Sequence, residues 1–288
     1  MNKILPSKII SGIMSWGKWG KKFSTNQMSE LIEYNFNAGI NSFDSADIYG
    51  DYSTENEFGK ALSASNLQRE KLVLITKCGI QFTSKKEQFE VKHYDYSSKH
   101  IRFSVEKSLK NLKTDYIDVF LLHRPSPLMN PEEIGVTISK LKEENKIKSF
   151  GVSNFNMSQI SLIQKTTDVE WNQIECSISK NQALDNGVLD YAIKKKIGIM
   201  AWGPLGNYYK KTQEKKLQLL INSLSNKYSA NEDQIIIAWL LKHPAKIHPV
   251  VGSTNKQRIS SYIKAIEIDM DIIDWFAILE ASRGKKVP

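Results

Sequence analysis

The sequence predicts a closed (β/α)8 TIM barrel of parallel strands with its active site at the C-terminal face. Eight short apolar runs recur along the whole length, and stretches with helical spacing separate them. The runs are continuously apolar, as strands are when helices cover a parallel sheet, and eight such units are what closes a barrel. An open, doubly wound sheet is the alternative architecture. With 288 residues and 41% hydrophobic content the chain can bury one large core, so one domain over residues 1–288 is expected.

In chain order the candidate strands are KIISGIM (8–14), NSFDSA (41–46), KLVLITK (71–77), DVFLLH (118–123), KSFGVSN (148–154), EWNQIE (170–175), GIMAWG (198–203) and HPVVGS (248–253). Between them, helical spacing appears over 28–39, 99–112, 131–144, 187–196 and 231–243. Several of these open on Ser, Asn or Pro, residues that satisfy or tolerate the free N–H groups of a first turn, and the first closes on Gly39. The one long irregular segment, 79–97, follows directly on the third strand and reads as a functional loop.

Several function classes are excluded by composition. The longest fully apolar run, 235–241, stops at Lys242, far short of the roughly 20 residues that cross a bilayer, so no membrane span is expected. Pro6 and Lys8 interrupt the N-terminus before a signal-length apolar stretch forms, which argues against secretion. Cys78 and Cys176 are too few for a disulfide framework and too isolated for a metal cluster; free thiols in a reducing, cytoplasmic compartment are expected, with no metal. The +9 charge is spread through mixed segments such as LKEENKIK, with no basic, aromatic-interleaved stripe for nucleic acid. A solvated surface fits that pattern, and so does an anionic cofactor.

In this fold, chemistry gathers where strands end at the C-terminal face, so the polar residues that terminate the apolar runs matter first: Asp44, Lys77, His123, Asn154, Gln173 and Ser253. Asp44 is followed by Tyr49 just beyond its strand, and Lys77 ends the next run. A carbonyl that gains a hydride must also gain a proton, and a tyrosine supplies it if an adjacent ammonium lowers its ordinary pKa of about 10. A buried ammonium needs an anion to stay charged, a role open to Asp44, and an imidazole beside the carbonyl oxygen orients it, a role open to His123. Singly, each residue has a plainer reading: Asp44 as a turn cap, Lys77 as a snorkelling side chain, Tyr49 as a loop anchor, His123 as a satisfied rim histidine. Four chemically matched residues at the ends of three consecutive strands outweigh those separate readings.

The stretch Phe43-Asp44-Ser45-Ala46-Asp47-Ile48-Tyr49-Gly50 resembles the FD-[ST]-A-x-x-Y-G signature of the aldo-keto reductase family. LITKCG, LLHRP, GVSNF, NQIECS, AWGPLG and VVGSTNKQR extend the resemblance over nearly the entire chain in the family's order, closest to a bacterial oxidoreductase branch. The resemblance implies NADP(H) without a metal, with Asp44, Tyr49, Lys77 and His123 as catalytic tetrad. It also implies Ser153, Asn154 and Gln173 on the nicotinamide carboxamide and Trp202 stacked on its ring. Gly203, Pro204, Leu205 and Gly206 would lie over the pyrophosphate, with Gly252, Ser253, Thr254, Lys256 and Arg258 around the 2′-phosphate. A guanidinium and hydroxyls suit that dianion and favour NADP over NAD. Where many relatives follow the arginine with a glutamate and an asparagine on adenine, this sequence has Ser261 and Tyr262, which leaves the adenine contacts open. The absence of GxGxxG argues against a Rossmann site and is compatible with a cofactor extended across a barrel mouth.

Trp16, Trp19, the 79–97 loop with His93 and Tyr94, Arg124 and Tyr208 are candidates for the substrate side, equally readable as loop packing. The expected partner is a small aldehyde, ketone or quinone, and the family implies a monomer. Two other function classes stay open: a nicotinamide-responsive auxiliary subunit with little turnover, and a Schiff-base lyase with Lys77 as nucleophile. The lyase needs a neutral amine, which a neighbouring carboxylate opposes.

Overall fold

The computed structural model describes residues 6–83, 89–209 and 215–288. The strands are β1 (Ile10–Gly12), β2 (Ser42–Asp44), β3 (Val73–Cys78), β4 (Ile80–Gln81), β5 (His93–Tyr94), β6 (Ile117–Leu122), β7 (Ile147–Ser153), β8 (Trp171–Glu175), β9 (Gly198–Trp202) and β10 (His248–Val251). Eight of them close into a parallel barrel in the order β1-β10-β9-β8-β7-β6-β3-β2, so the open-sheet alternative is ruled out. The seam pairs Ile10 with Val250 and Ser11 with Val251. Each apolar run of the sequence overlaps one barrel strand, usually shorter than the run, with β3, β6 and β7 reaching one residue beyond theirs: of residues 8–14 only 10–12 pair. The 79–97 segment is not wholly irregular, because β4 and β5 pair antiparallel, Ile80 with Tyr94 and Gln81 with His93.

The helices are α1 (Thr25–Asn37), α2 (Tyr49–Tyr52), α3 (Thr54–Ala64), α4 (Ser98–Leu112), α5 (Pro131–Glu143), α6 (Met157–Ile163), α7 (Val188–Lys195), α8 (Lys215–Lys227), α9 (Glu232–Leu241), α10 (Lys256–Lys264) and α11 (Ile272–Arg283). Their starts follow from capping chemistry. Ser24 and Gln27 exchange side-chain and backbone hydrogen bonds at the head of α1, and Asn156 with Gln159 do the same for α6. Asn130 caps α5 with Pro131 in its first turn. All five helices read from spacing are present. Of the others, α6 and α8 escaped that reading because their buried stripes are thin: α6 buries only Ile160 and Ile163, and α8 only Leu217, Ile221 and Leu224. No helix is long and apolar enough to cross a membrane among the described residues.

Inside the barrel, Ile10, Val73, Ile75, Val119, Leu121, Trp171, Met200 and Val250 fill the lumen, one or two from each of several strands. At the N-terminal end Arg69 ties two strand entries together, those of β3 and β6. It donates to the carbonyls of Leu72 and Tyr116 at 3.0 and 2.8 Å and to Asp118 Oδ2 at 2.6 Å, and that same oxygen accepts the Leu74 N–H at 2.8 Å. At the opposite end the apolar fill gives way to Asp44, Lys77 and Gln173, all buried.

Candidate active site

Lys77 lies next to the last residue of β3, wholly buried. Its Nζ donates to Asp44 Oδ1 at 2.7 Å and to the Ser45 carbonyl at 2.6 Å, and reaches Tyr49 Oη at 3.4 Å. All three ammonium hydrogens are thereby directed at oxygen. Burial disfavours the charge, but Asp44 and Tyr49 outweigh it and hold the ammonium above its usual pKa. A charged Lys77 removes the premise of the Schiff-base lyase.

For Tyr49 the sequence expectation needs correction. Lys77 does pull the phenol's pKa down, but burial pushes it up more strongly, helped by the Asp44 charge, and the net shift is upward from 10.0. The phenol is therefore fully protonated at neutral pH. His123, one residue past β6, has its ring 6.1 Å from that of Tyr49 at an interplanar angle of 77°. Its main-chain N–H donates to the Cys78 carbonyl at 2.9 Å, which holds the end of β6 to β3. Burial first, then the charges of Lys77, Arg124 and Lys92, depress the imidazole well below 6.5, so the ring is neutral. Its Nδ1 is buried without a hydrogen-bond partner among the described residues.

The strand ends β7, β8 and β9 are stitched together by amide groups. Ser153 Oγ and the Asn154 backbone N–H both donate to the Gln173 carbonyl, at 2.9 and 2.8 Å. Asn154 Nδ2 donates to Ser153 Oγ at 2.8 Å, and Trp202 Nε1 donates to Asn154 Oδ1 at 2.9 Å. Asn154 adopts φ 62°, a left-handed conformation that asparagine tolerates better than most residues. Gln173 Nε2 reaches back across the barrel to Asp44 Oδ1 at 2.8 Å, joining this amide chain to the Asp44–Lys77 pair. The sequence reading missed that link, as it did the Trp202–Asn154 bond.

One cleft of about 690 Å³ runs from Tyr49 and His123, past Trp202 and the Gly203–Gly206 loop, to Gly252, Ser253, Arg258 and Tyr262. Gly206 adopts φ 55°, and a Cβ there would lie 2.0 Å from Ser179 Oγ, so the loop needs glycine for both conformation and space. Asn255 caps α10, accepting the Arg258 N–H at 3.0 Å, and Arg258 faces the cleft from that first turn.

Thr254 and Lys256, expected around a phosphate, do not line the cleft; the Lys256 ammonium sits 5.5 Å from the centre of the Tyr34 ring, beside Glu30. Ser261 turns inward to donate to Asp233 at 3.2 Å, which leaves Tyr262 on the cleft wall. Among the substrate-side candidates Trp19 and Arg124 line the cleft, as do Ile80 and Lys92 of the 79–97 segment. Trp16 does not: it is wholly buried, edge-on to Phe43 and beside Phe58. Tyr208 is buried in the core, His93 stands exposed and edge-on to Phe89, Tyr94 packs on the cluster of Ala46, Ile48 and Ile80, and none of the three lines the cleft. Met14 and Ile48, which the sequence reading missed, complete that wall, and neither carries a polar signal by which it could be found. Cys176 is a buried thiol pushed up to about 12 by burial, and no group of three or more His, Cys, Asp or Glu side chains gathers among the described residues.

Comparison with known proteins gives a match to the Aldo/keto reductase family over residues 8–283. An uncharacterized oxidoreductase of Bacillus subtilis, YcsN, is 38% identical over 98% of this chain and 96% of its own. The 6-dehydroglucose reductase of Agrobacterium fabrum is 36% identical over 99% and 97%. Among solved structures, an aldo/keto reductase of Klebsiella pneumoniae in complex with NADP and acetate shares the fold at a TM-score of 0.78, with 21% identity over 98% of this chain and 92% of that one.

Proposed function

The chain belongs to the aldo/keto reductase family, and from that premise we propose that it reduces an aldehyde, ketone or quinone carbonyl to the alcohol with NADPH. The observation that carries this reading is the buried Lys77 ammonium touching both Asp44 and Tyr49, which line one cleft with a neutral His123.

NADPH, when bound, supplies a hydride to the carbonyl carbon. Tyr49 gives its phenolic proton to the carbonyl oxygen as that oxygen becomes an alkoxide. Lys77 then stabilises the tyrosinate left behind, so its charge acts on the product of proton transfer more than on the resting phenol. Asp44 keeps Lys77 charged, and Gln173, by donating to the same carboxylate oxygen, holds Asp44 in place. His123, neutral, orients the carbonyl oxygen by a ring N–H.

The far end of the cleft suits the anionic cofactor. Arg258 has no ion pair there among the described residues, and a Cβ built on Gly203 or Gly252 would meet nothing within 4 Å, which leaves open faces against which a dinucleotide can lie. Ser153, Asn154 and Gln173 would hold the carboxamide and Trp202 the ring. The 203–206 loop would hold the pyrophosphate, with Gly252, Ser253 and Arg258 on the 2′-phosphate. A relative at 21% identity carries NADP in the same fold.

The test is titration with NADPH and NADH by tryptophan quenching, followed by NADPH oxidation at roughly 340 nm against a panel of aldehydes, ketones and quinones. Tighter NADPH binding with turnover of at least one carbonyl is expected. Tight binding without turnover would favour an auxiliary redox subunit, and no binding would overturn the cofactor assignment.

A further inference from the structure

Two positive side chains stand at the carbonyl end of the cleft and have no part in the hydride and proton transfers above: Arg124 and Lys92. Asp44 is the one carboxylate lining the cleft among the described residues, and it is committed to Lys77 and Gln173. Neither Arg124 nor Lys92 has an ion pair among the described residues. Both are near enough to His123 to depress its pKa, so their field reaches the place where the carbonyl must sit.

The position of Arg124 is built. The buried Tyr96 hydroxyl accepts the Arg124 backbone N–H at 3.0 Å and donates to the Arg124 carbonyl. Tyr96 in turn occupies the space above Gly79, where a Cβ would lie 2.0 Å from the phenol ring. The guanidinium lies over the Trp202 ring, 5.5 Å from its centroid. A half-buried guanidinium on an anchored main chain, with a second cation on the same cleft and no uncommitted carboxylate lining it among the described residues, is a site for a ligand anion. The cofactor's phosphates have their own donors in the 203–206 loop and Arg258, at the other end.

We propose that the substrate is a carbonyl compound bearing an anionic group, carboxylate or phosphate, which Arg124 holds with Lys92 beside it while the carbonyl faces Tyr49 and His123. This rests on the carbonyl-reductase reading above. The exposed lysine draws the anion in; the arginine, on its anchored main chain, fixes its orientation.

The experiment compares matched pairs with NADPH saturating: succinic semialdehyde against butanal, and glyceraldehyde 3-phosphate against glyceraldehyde. For at least one pair, kcat/KM is expected to favour the anionic member by about 10- to 100-fold, the worth of a charge-assisted hydrogen bond. In Arg124→Met that ratio should fall toward one; Arg124→Lys should retain part of it and Lys92→Met should lower it less. The ratio is read within each variant, so a general loss of activity does not mimic the result. The pair that shows the preference tells carboxylate from phosphate. A ratio near one in the wild type, or an unchanged ratio in Arg124→Met, would overturn the proposal. Weakened NADPH binding in Arg124→Met with the ratio intact would do the same and assign the arginine to the cofactor. Absence of turnover with every carbonyl in the wider panel would overturn the reductase reading itself, and this proposal with it.

Discussion

At the scale of single residues, the chemistry turns on which protonation states the cleft enforces. Tyr49 is held as a phenol and His123 as a neutral imidazole, both chiefly by burial. Tyr49→Phe should therefore lower kcat by about 100- to 10,000-fold, the range of a positioned general acid, while the NADPH dissociation constant stays nearly unchanged. Near-normal turnover in that variant would remove the tyrosine from the mechanism. The pH profile follows with a definite sign. A phenol pKa raised above 10.0 keeps the proton donor loaded through the neutral range, so carbonyl reduction should decline only in strong alkali. A histidine depressed well below 6.5 adds no inflection between about pH 6 and 8. An inflection there in kcat/KM would mean that His123 titrates in the free enzyme. At the other end of the cleft, Arg258→Ala should weaken NADPH binding by about 10- to 100-fold and NADH binding little, because only the former brings a 2′-phosphate to the guanidinium. Equal weakening of both would move that side chain elsewhere on the cofactor.

At the scale of elements, the site is assembled by strand ends held in register, and the short link after β3 shows how. Gly79, at φ 106°, lets the chain turn from β3 into β4 while Tyr96 packs where a side chain would stand. Gly79→Ala should cost about 1–3 kcal/mol in denaturant unfolding, from strain and displacement of the ring. By loosening the Tyr96 clamp on Arg124 it should reduce carbonyl kcat/KM more than NADPH affinity. A variant as stable as the parent would show that the loop absorbs the Cβ freely. Much at this scale was legible in the sequence, because polar residues ending apolar runs are conspicuous: Asp44, Lys77 and His123 fall together for that reason. Contacts made by closure were not. Gln173 and Asp44 are 129 positions apart, and only the curvature of the completed barrel brings an amide of β8 to a carboxylate of β2. Trp16 and Trp19 look alike in sequence, yet one is buried against Phe43 and Phe58 and the other stands 6.1 Å from the Tyr49 ring. The direction of the Tyr49 shift also required knowing its burial, since the Lys77 charge taken alone points the other way.

At the scale of the whole molecule, the barrel separates stability from chemistry along its axis. The C-terminal face spends buried volume on Asp44, Lys77 and Gln173, groups that must all stay satisfied, while the lumen below them is filled by apolar side chains. The N-terminal face has a polar knot of its own around Arg69, whose guanidinium gathers the entries of β3 and β6 and also lies 4.0 Å from the centre of the Tyr116 ring. That knot is remote from the cleft, and none of its members lines it. Arg69→Ala leaves Asp118, largely buried, without its counter-ion and takes one donor each from the Leu72 and Tyr116 carbonyls. A loss of about 1–3 kcal/mol in unfolding free energy is expected, with kcat/KM for any carbonyl substrate at 25 °C within about twofold of the parent. The comparison that decides it is thermal unfolding beside steady-state kinetics on the same preparation. If Arg69→Ala lowered kcat/KM as much as it lowered stability, the two ends of the barrel would be coupled through the strands, and the separation by face would have to be abandoned.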